Sequence, residues 1–312
     1  MPNNRCPLVG DKLFRGFTLL FALAVLVVVG ATFYYLVAGS APAISAYGWR
    51  FFVERRWDAV NHVFGALPFI YGTLASSFLA LLIAVPLGVG SAIYLAEMAP
   101  PWVRIPISYM IELLAAVPSV VYGLWGLLVM APWLRSTLEP WLEHYFGFLP
   151  FFRGPAFGVG VLAAGMVLAI MVLPTISSIS REVLLAVPQD QREAMLALGA
   201  TRWETTWKVV IPYGRSGILG AVILALGRAL GETMAATMVI GNSLDMSLSL
   251  FHPANTMASI IVNEFAEAVS DLHTAVLIEI ALVLFLTTFA LNVVARWLVR
   301  KVAAPPTVGG GG

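Results

Sequence analysis

An arginine and a glutamate stand four positions apart in one long apolar segment, at Arg228 and Glu232. A charge in the hydrocarbon of a bilayer costs several kcal/mol, so we expect both side chains to face a helix-bundle interior or water. Side chains four residues apart share one face of a helix, which would bring these two into contact. The planar donors of a guanidinium match the oxygens of an oxyanion. The pattern favours an anion path, and mutual neutralisation of the two charges is the alternative.

Glu232 also bears on the choice of anion. Inorganic phosphate near neutral pH still carries a proton, which a carboxylate can accept in a hydrogen bond, whereas sulfate carries none. A carboxylate beside the path therefore favours phosphate over sulfate, unless Glu232 only pairs with Arg228.

A polar segment at about 181–216 separates two apolar segments and predicts a compact helix–turn–helix. Gly199 is typical of the residue that follows a helix. Thr201 and Glu204 have the spacing of a capping box, which starts a second helix, and we expect Pro212 to break that helix. Such a hairpin either lies on the membrane surface or docks to a soluble partner through apolar side chains.

Composition indicates what surrounds these residues. Of the 312 residues, 60% are hydrophobic and 11% are charged, against roughly a quarter charged in soluble domains. We predict an all-α integral membrane protein with about six transmembrane helices, each needing roughly 20 apolar residues. The candidate spans are about Phe17–Ala38, Phe69–Ala96, Ile107–Ala131, Ala156–Ser180, Gly217–Gly241 and Thr274–Leu298.

Most Lys and Arg residues fall on one side of the membrane if both termini are cytoplasmic, which predicts that orientation. We divide the chain into an N-terminal part (1–65: the cytoplasmic N-terminus, the first span and the first outer loop), a transmembrane domain (66–300) and a disordered tail (301–312) that ends in Gly309–Gly312. The net charge of +1 gives no support for nucleic-acid binding.

Other acidic residues have structural interpretations. Glu112 and Glu279 lie in the third and sixth spans, where snorkelling or inter-helix hydrogen bonding is favoured over a place on the path. Glu264, Glu267 and Asp271 make an acidic outer loop, which would repel an anion. We interpret that loop as helix capping or part of an outer gate.

The polar segment resembles the EAA motif of ABC importer permeases, in which Glu-Ala-Ala, Gly and a C-terminal Ile-x-Leu-Pro recur at fixed spacing. The matching residues are Glu193, Ala194, Met195, Gly199, Ile211 and Pro212. Met195 and Ile211 depart conservatively from the pattern. The resemblance implies an ABC importer type I permease architecture, in which this loop carries a coupling helix that sits in a cleft of the ATP-hydrolysing subunit.

Four further stretches are similar to PstC-type permeases of bacterial phosphate importers: Ile111–Gly126, Gly154–Leu168, Arg228–Asn242 and Asn263–Ala268. This resemblance implies a multi-pass protein of the bacterial cytoplasmic (inner) membrane. It implies as partners a second, similar permease in a heterodimer, two ATPase subunits on the cytoplasmic side and a periplasmic or surface phosphate-binding protein. It also implies that Arg228 and Glu232 take part in phosphate translocation.

None of the lysines stands in the Gly-Lys-Ser/Thr context of a phosphate-binding loop. We therefore expect a non-catalytic subunit without a cofactor of its own, and ATP and Mg on the partner ATPase. Within this class, a permease for another oxyanion or small solute stays open. An ion-coupled secondary transporter would show an internal repeat and interrupted half-helices, neither of which is evident. A membrane enzyme would need clustered catalytic groups, but the histidines are scattered and Cys6 is the only cysteine.

Overall fold

The computed structural model describes residues 9–303, and these residues form helices joined by loops, with no β-strand in that range. Short 3₁₀ or π-helical turns follow α1 and α2, and further π-helical turns lie within α4 and α7. The helices are α1 (Val9–Tyr47), α2 (Leu67–Ile93), α3 (Pro101–Ala116), α4 (Ser119–Phe146), α5 (Val161–Leu185), α6 (Gln189–Ala197), α7 (Arg202–Gly231), α8 (Met234–Val239), α9 (Met257–Glu264) and α10 (Asp271–Ala303).

The prediction of about six spans is confirmed. Five of the helices are long and apolar enough to cross a membrane, and α3 and α4 together make a sixth, bent span. The first span is longer than predicted, because α1 continues on both sides of Phe17–Ala38 to Val9 and Tyr47.

Two predicted spans are not continuous helices. The third, Ile107–Ala131, is broken between α3 and α4, whose axes differ by 94°. Val117 and Pro118 are extended at this break, as expected because a proline disfavours helical backbone at the residue before it. The fifth, Gly217–Gly241, is broken where α7 ends and Glu232 takes an extended conformation. Pro118 predicts a kink at the first break, whereas the second break lies in a segment for which the sequence predicts one helix.

Helix α5 lies at the centre of the bundle and is the most buried span. Helix α2 packs along it closely, because glycines stand at the contact. A Cβ at Gly88 would lie 2.8 Å from the Ile176 side chain, and one at Gly165 would lie 2.6 Å from Leu79. Small residues allow membrane helices to approach in this way. Helix α1 packs on α10, while its N-terminal half is exposed.

The acidic segment with Glu264, Glu267 and Asp271 contains a defined hydrogen-bonded group. The carboxylate of Glu264, at the end of α9, accepts from the Trp57 indole N–H at 2.8 and 2.9 Å and lies 2.9 Å from Nε2 of His273. Asp271 is the first residue of α10, where an acidic side chain suits the helix dipole. The capping interpretation therefore fits Asp271, whereas Glu264 links the α1–α2 connection to α9 and α10.

The two acidic residues within spans differ in their surroundings. Glu112 is exposed on α3. Glu279 is buried in α10, and its Oε2 has no hydrogen-bond partner among residues 9–303, so the predicted inter-helix bond is not found for that oxygen. The predicted tail begins too early, since α10 continues to Ala303. Residues 304–312, with Gly309–Gly312, lie outside the described range, as do residues 1–8 with Cys6.

Candidate functional site

The predicted helix–turn–helix is present in the polar segment. Helix α6 is followed by Gly199, whose φ of +84° is a left-handed conformation that glycine adopts without steric cost. The capping box at the start of α7 is also confirmed. The Glu204 N–H donates to Thr201 Oγ1 at 3.2 Å, and the Thr201 N–H donates to Glu204 Oε2 at 2.9 Å. The glycine that ends α6 and the capping box that begins α7 thus fix a sharp turn between the two helices.

Pro212 does not end the second helix, so the prediction that it breaks there is wrong. Helix α7 runs from Arg202 through Pro212 to Gly231. A π-helical turn over Thr206–Val210 comes directly before the proline. The Ile211 N–H bonds to the Thr206 carbonyl, five residues back, and the wider turn makes room for a ring that cannot donate a hydrogen bond. The hairpin is therefore joined rigidly to the fifth span.

The EAA-like residues have two kinds of position. Glu193 and Ala194 are exposed on α6, Met195 is half-buried, and α6 has no fully buried residue in this chain. Leu198, just beyond the helix, is 83% exposed. A helix with free apolar side chains on the loop between two spans offers what a helix-in-groove contact requires. Gly199, Ile211 and Pro212 instead shape the turn and the start of the span.

Arg228 and Glu232 do not form the expected pair. Helix α7 ends at Gly231, so Glu232 lies beyond the helical face that carries Arg228, and no salt bridge joins them. The Oε1 of Glu232 instead accepts the Ala235 N–H at 3.2 Å, at the start of α8. The prediction of direct contact is wrong because the helix breaks between the two residues.

The surroundings of Arg228 leave its guanidinium without a carboxylate partner in the described part of the chain. Its side chain is exposed in the last turn of α7, and no carboxylate lies within salt-bridge distance of it among the described residues. The carbonyl end of a helix stabilises a positive charge. The end of α7 therefore provides part of the charge stabilisation of Arg228 that the sequence predicted for Glu232. The guanidinium also lies within electrostatic range of the Tyr122 hydroxyl on α4.

The helices that follow the two breaks, α4 and α8, pack against each other. Gly123 of α4 packs on α8, where an added Cβ would come within 3.0 Å of the Ala235 Cα. The Tyr122 hydroxyl donates to the Leu114 carbonyl of α3 at 2.7 Å and so ties the two sides of the first break together. Non-helical backbone inside a membrane is tolerated where it is buried in protein or lines a water-filled cavity. Arg228 thus stands beside a discontinuity of the kind that transporters use to bind solutes.

Sequence reasoning missed Tyr122 and the second discontinuity, while Pro118 predicts at least a kink in the third span. The Val117–Pro118 pair is a signal for the first break, because a residue before proline avoids helical backbone. The second break has no comparable signal, since no proline stands near Glu232. The interrupted helices also remove one argument against a secondary transporter, which had relied on their absence.

A protein-family model described as "Binding-protein-dependent transport system inner membrane component" matches residues 84–304. "Phosphate transport system permease protein PstC" of Mesorhizobium japonicum is 47% identical and covers 94% of this chain and 91% of its own length. The protein of the same name from Pasteurella multocida is 45% identical, with 94% and 92% covered. These relatives confirm the PstC-type resemblance.

Solved structures agree on the fold. A bacterial ABC transporter for import of the acidic polysaccharide alginate matches with a TM-score of 0.60 at 16% identity, covering 93% of this chain and 98% of that one. The inward-facing MetNI methionine ABC transporter matches at 0.52 and 18%, covering 76% and 94%. Identities this low support the ABC importer permease fold alone. The chain is therefore a multi-pass inner-membrane protein that belongs to the binding-protein-dependent transport system inner membrane component family.

Proposed function

We propose that this chain is the permease subunit of an ATP-driven importer of inorganic phosphate. The observation that carries the proposal is the 47% identity, over nearly the whole chain, to a permease named for phosphate transport. Family membership, rather than the presence or absence of broken helices, supports a permease subunit over an ion-coupled secondary transporter or a membrane enzyme.

In this proposal the anion passes beside Arg228. The guanidinium is exposed from this chain alone and is free of carboxylates in the described range, so its donor fork is free for phosphate oxygens. Glu232 uses Oε1 for the Ala235 N–H, and its second oxygen is left to accept the proton of hydrogen phosphate. The preference for phosphate over sulfate depends on that oxygen.

The partners follow from the family and from the exposed hairpin. A second, similar permease forms a heterodimer with this chain and covers the surface that exposes Arg228. Two ATPase subunits with ATP and Mg bind on the cytoplasmic side, and a phosphate-binding protein delivers the anion on the other side. Helix α6 then serves as the coupling helix, with both chain termini in the cytoplasm and no cofactor on this subunit. Another oxyanion as substrate is the rival within the class.

Uptake into vesicles tests the substrate and the path. The chain is reconstituted with its partner subunits, and the entry of labelled phosphate is compared with that of labelled sulfate. We expect Arg228→Ala to abolish uptake and Arg228→Lys to restore part of it, because lysine keeps the charge but loses the planar fork. Leu224→Ala is the matched control, since Leu224 is 60% exposed one turn earlier on the same helix. Equal entry of sulfate would remove the specificity, and full uptake by Arg228→Ala would remove the site.

Binding of the ATPase subunits tests the coupling role. Leu198→Asp places a charge at the most exposed apolar position of the hairpin and should prevent co-purification of those subunits. Val60→Asp makes the same change at an 87% exposed valine on the other side of the membrane and should have no effect. Normal binding by the Leu198 variant would count against docking through this hairpin.

A further inference from the structure

Arg192, next to the EAA-like residues, links α6 to two spans. Its Nη2 donates to Glu97 Oε1 at 2.9 Å and to the Leu184 carbonyl at 2.7 Å, and its Nη1 donates to the Val187 carbonyl. Glu97 lies in the π-helical turn that follows α2, and Leu184 lies in the last turn of α5. One guanidinium thus joins the end of α2, the end of α5 and α6. We refer to this group as the Arg192 clamp.

Apart from Arg192 and the turn into α7, α6 has few contacts with the spans. No residue of α6 is fully buried, and all of the side-chain hydrogen bonds described between α6 and a span come from Arg192. The other motif residues on this helix, such as Glu193 and Ala194, are exposed. The clamp is therefore the specific mechanical connection between α6 and the spans, beside the chain itself.

The setting makes this connection stiff. The side chains of Arg192 and Glu97 are only 14% and 13% exposed, so water screens the pair poorly. The Leu184 carbonyl lies in the last turn of α5 and the Val187 carbonyl just beyond it, where carbonyls have few helical partners. The Leu184 carbonyl also accepts the Val187 N–H at 3.3 Å, and the cation adds a hydrogen bond to each of the two carbonyls. A planar guanidinium can serve a carboxylate and two carbonyls together, which an ammonium cannot do with the same geometry.

We infer that the Arg192 clamp transmits movement of α6 to α2 and α5, and that Arg192 and Glu97 are positioning residues for transport. The turn that holds Glu97 leads through Ala99 and Pro100 into α3, whose far end is the break tied by Tyr122 beside Arg228. Displacement of α6 thereby reaches the proposed anion path. This inference rests on the proposed function for its transport readout and on the geometry of this chain for its structural readout.

The structural readout is the distance between α6 and the end of α2. Spin labels at Tyr94→Cys and Leu196→Cys, in a Cys6→Ser background, report it, and both positions are 45% exposed. We expect a narrow distance distribution that broadens when Glu97→Gln removes the charge without changing the volume. Lys208→Gln, which removes only the exposed pair with Glu204 at 3.7 Å, should leave the distribution unchanged. An unchanged distribution in Glu97→Gln would overturn the inference.

The transport readout is the number of anions imported per ATP hydrolysed in the reconstituted importer. For Glu97→Gln and Arg192→Lys we expect this ratio to fall roughly tenfold, with the ATPase subunits still bound and still hydrolysing ATP. A normal ratio, or loss of ATPase binding in place of uncoupling, would refute a transmission role. If the wild-type importer takes up no phosphate, the proposed function fails, and the label distances still decide whether the clamp holds α6.

Discussion

Removing the carboxylate of Glu264 should loosen the end of the bundle where the α1–α2 connection meets α9 and α10. Its two oxygens receive the Trp57 indole N–H at 2.8 and 2.9 Å and face His273 Nε2 at 2.9 Å. Trp57 and His273 are each only 7% exposed. Glu264→Ala would therefore leave two buried polar groups without this partner. A buried donor left unsatisfied costs about 1–3 kcal/mol, so we expect a loss of roughly 2–5 kcal/mol in unfolding free energy.

Two companion variants separate the hydrogen bonds from the charge. Glu264→Gln keeps one carbonyl oxygen, which can still accept from Trp57, so it should lose about half as much free energy. Glu267→Ala removes an exposed carboxylate three residues away and should have little effect.

The assay is thermal unfolding of the purified protein, with hydrogen–deuterium exchange over residues 53–66 to locate the change. We expect the unfolding midpoint to fall least in Glu267→Ala, more in Glu264→Gln and most in Glu264→Ala. Amide exchange around Trp57 should be faster in the two Glu264 variants. A Glu264→Ala protein with the wild-type midpoint would refute the reasoning. Equal losses from the alanine and glutamine variants would show that the hydrogen bonds do not carry the effect.

Three smaller changes test other parts of the fold. Gly72→Ala should lower the unfolding midpoint because its Cβ would overlap a backbone oxygen of the α8–α9 connection. The control is Gly90→Ala on the same helix, where a Cβ meets open space, and it should be neutral or stabilising. Thr201→Ala removes the cap of α7 and should cost about 1 kcal/mol, seen as faster amide exchange in the first turn. The side chain of Asn61 holds the pKa of Asp58 below its ordinary value of 3.8. Because the folded pKa is lowered, the turn gains stability above pH 3.8 and should lose protection as the pH falls through the folded value.

Much of the fold could be predicted from local chemistry. The length of each apolar segment gives the number of spans, since a bilayer fixes how many residues a helix needs to cross it. Gly199 and the Thr201–Glu204 capping box correctly predicted the turn between α6 and α7, because both signals act within a few residues. The similarity to permeases was also visible in the residue spacing.

The sequence could not predict the break after α7 or which charges meet. Arg228 and Glu232 have the spacing of a helical pair, yet α7 ends between them. The Glu232 carboxylate instead accepts a backbone N–H at the start of α8. In the sequence, Arg192 is one of several basic residues in the polar segment at about 181–216, but folding brings it to Glu97, a residue 95 positions away. Spacing along a chain determines contacts only while the backbone stays regular. Across a break, or between distant segments, the packing of the helices decides which side chains meet.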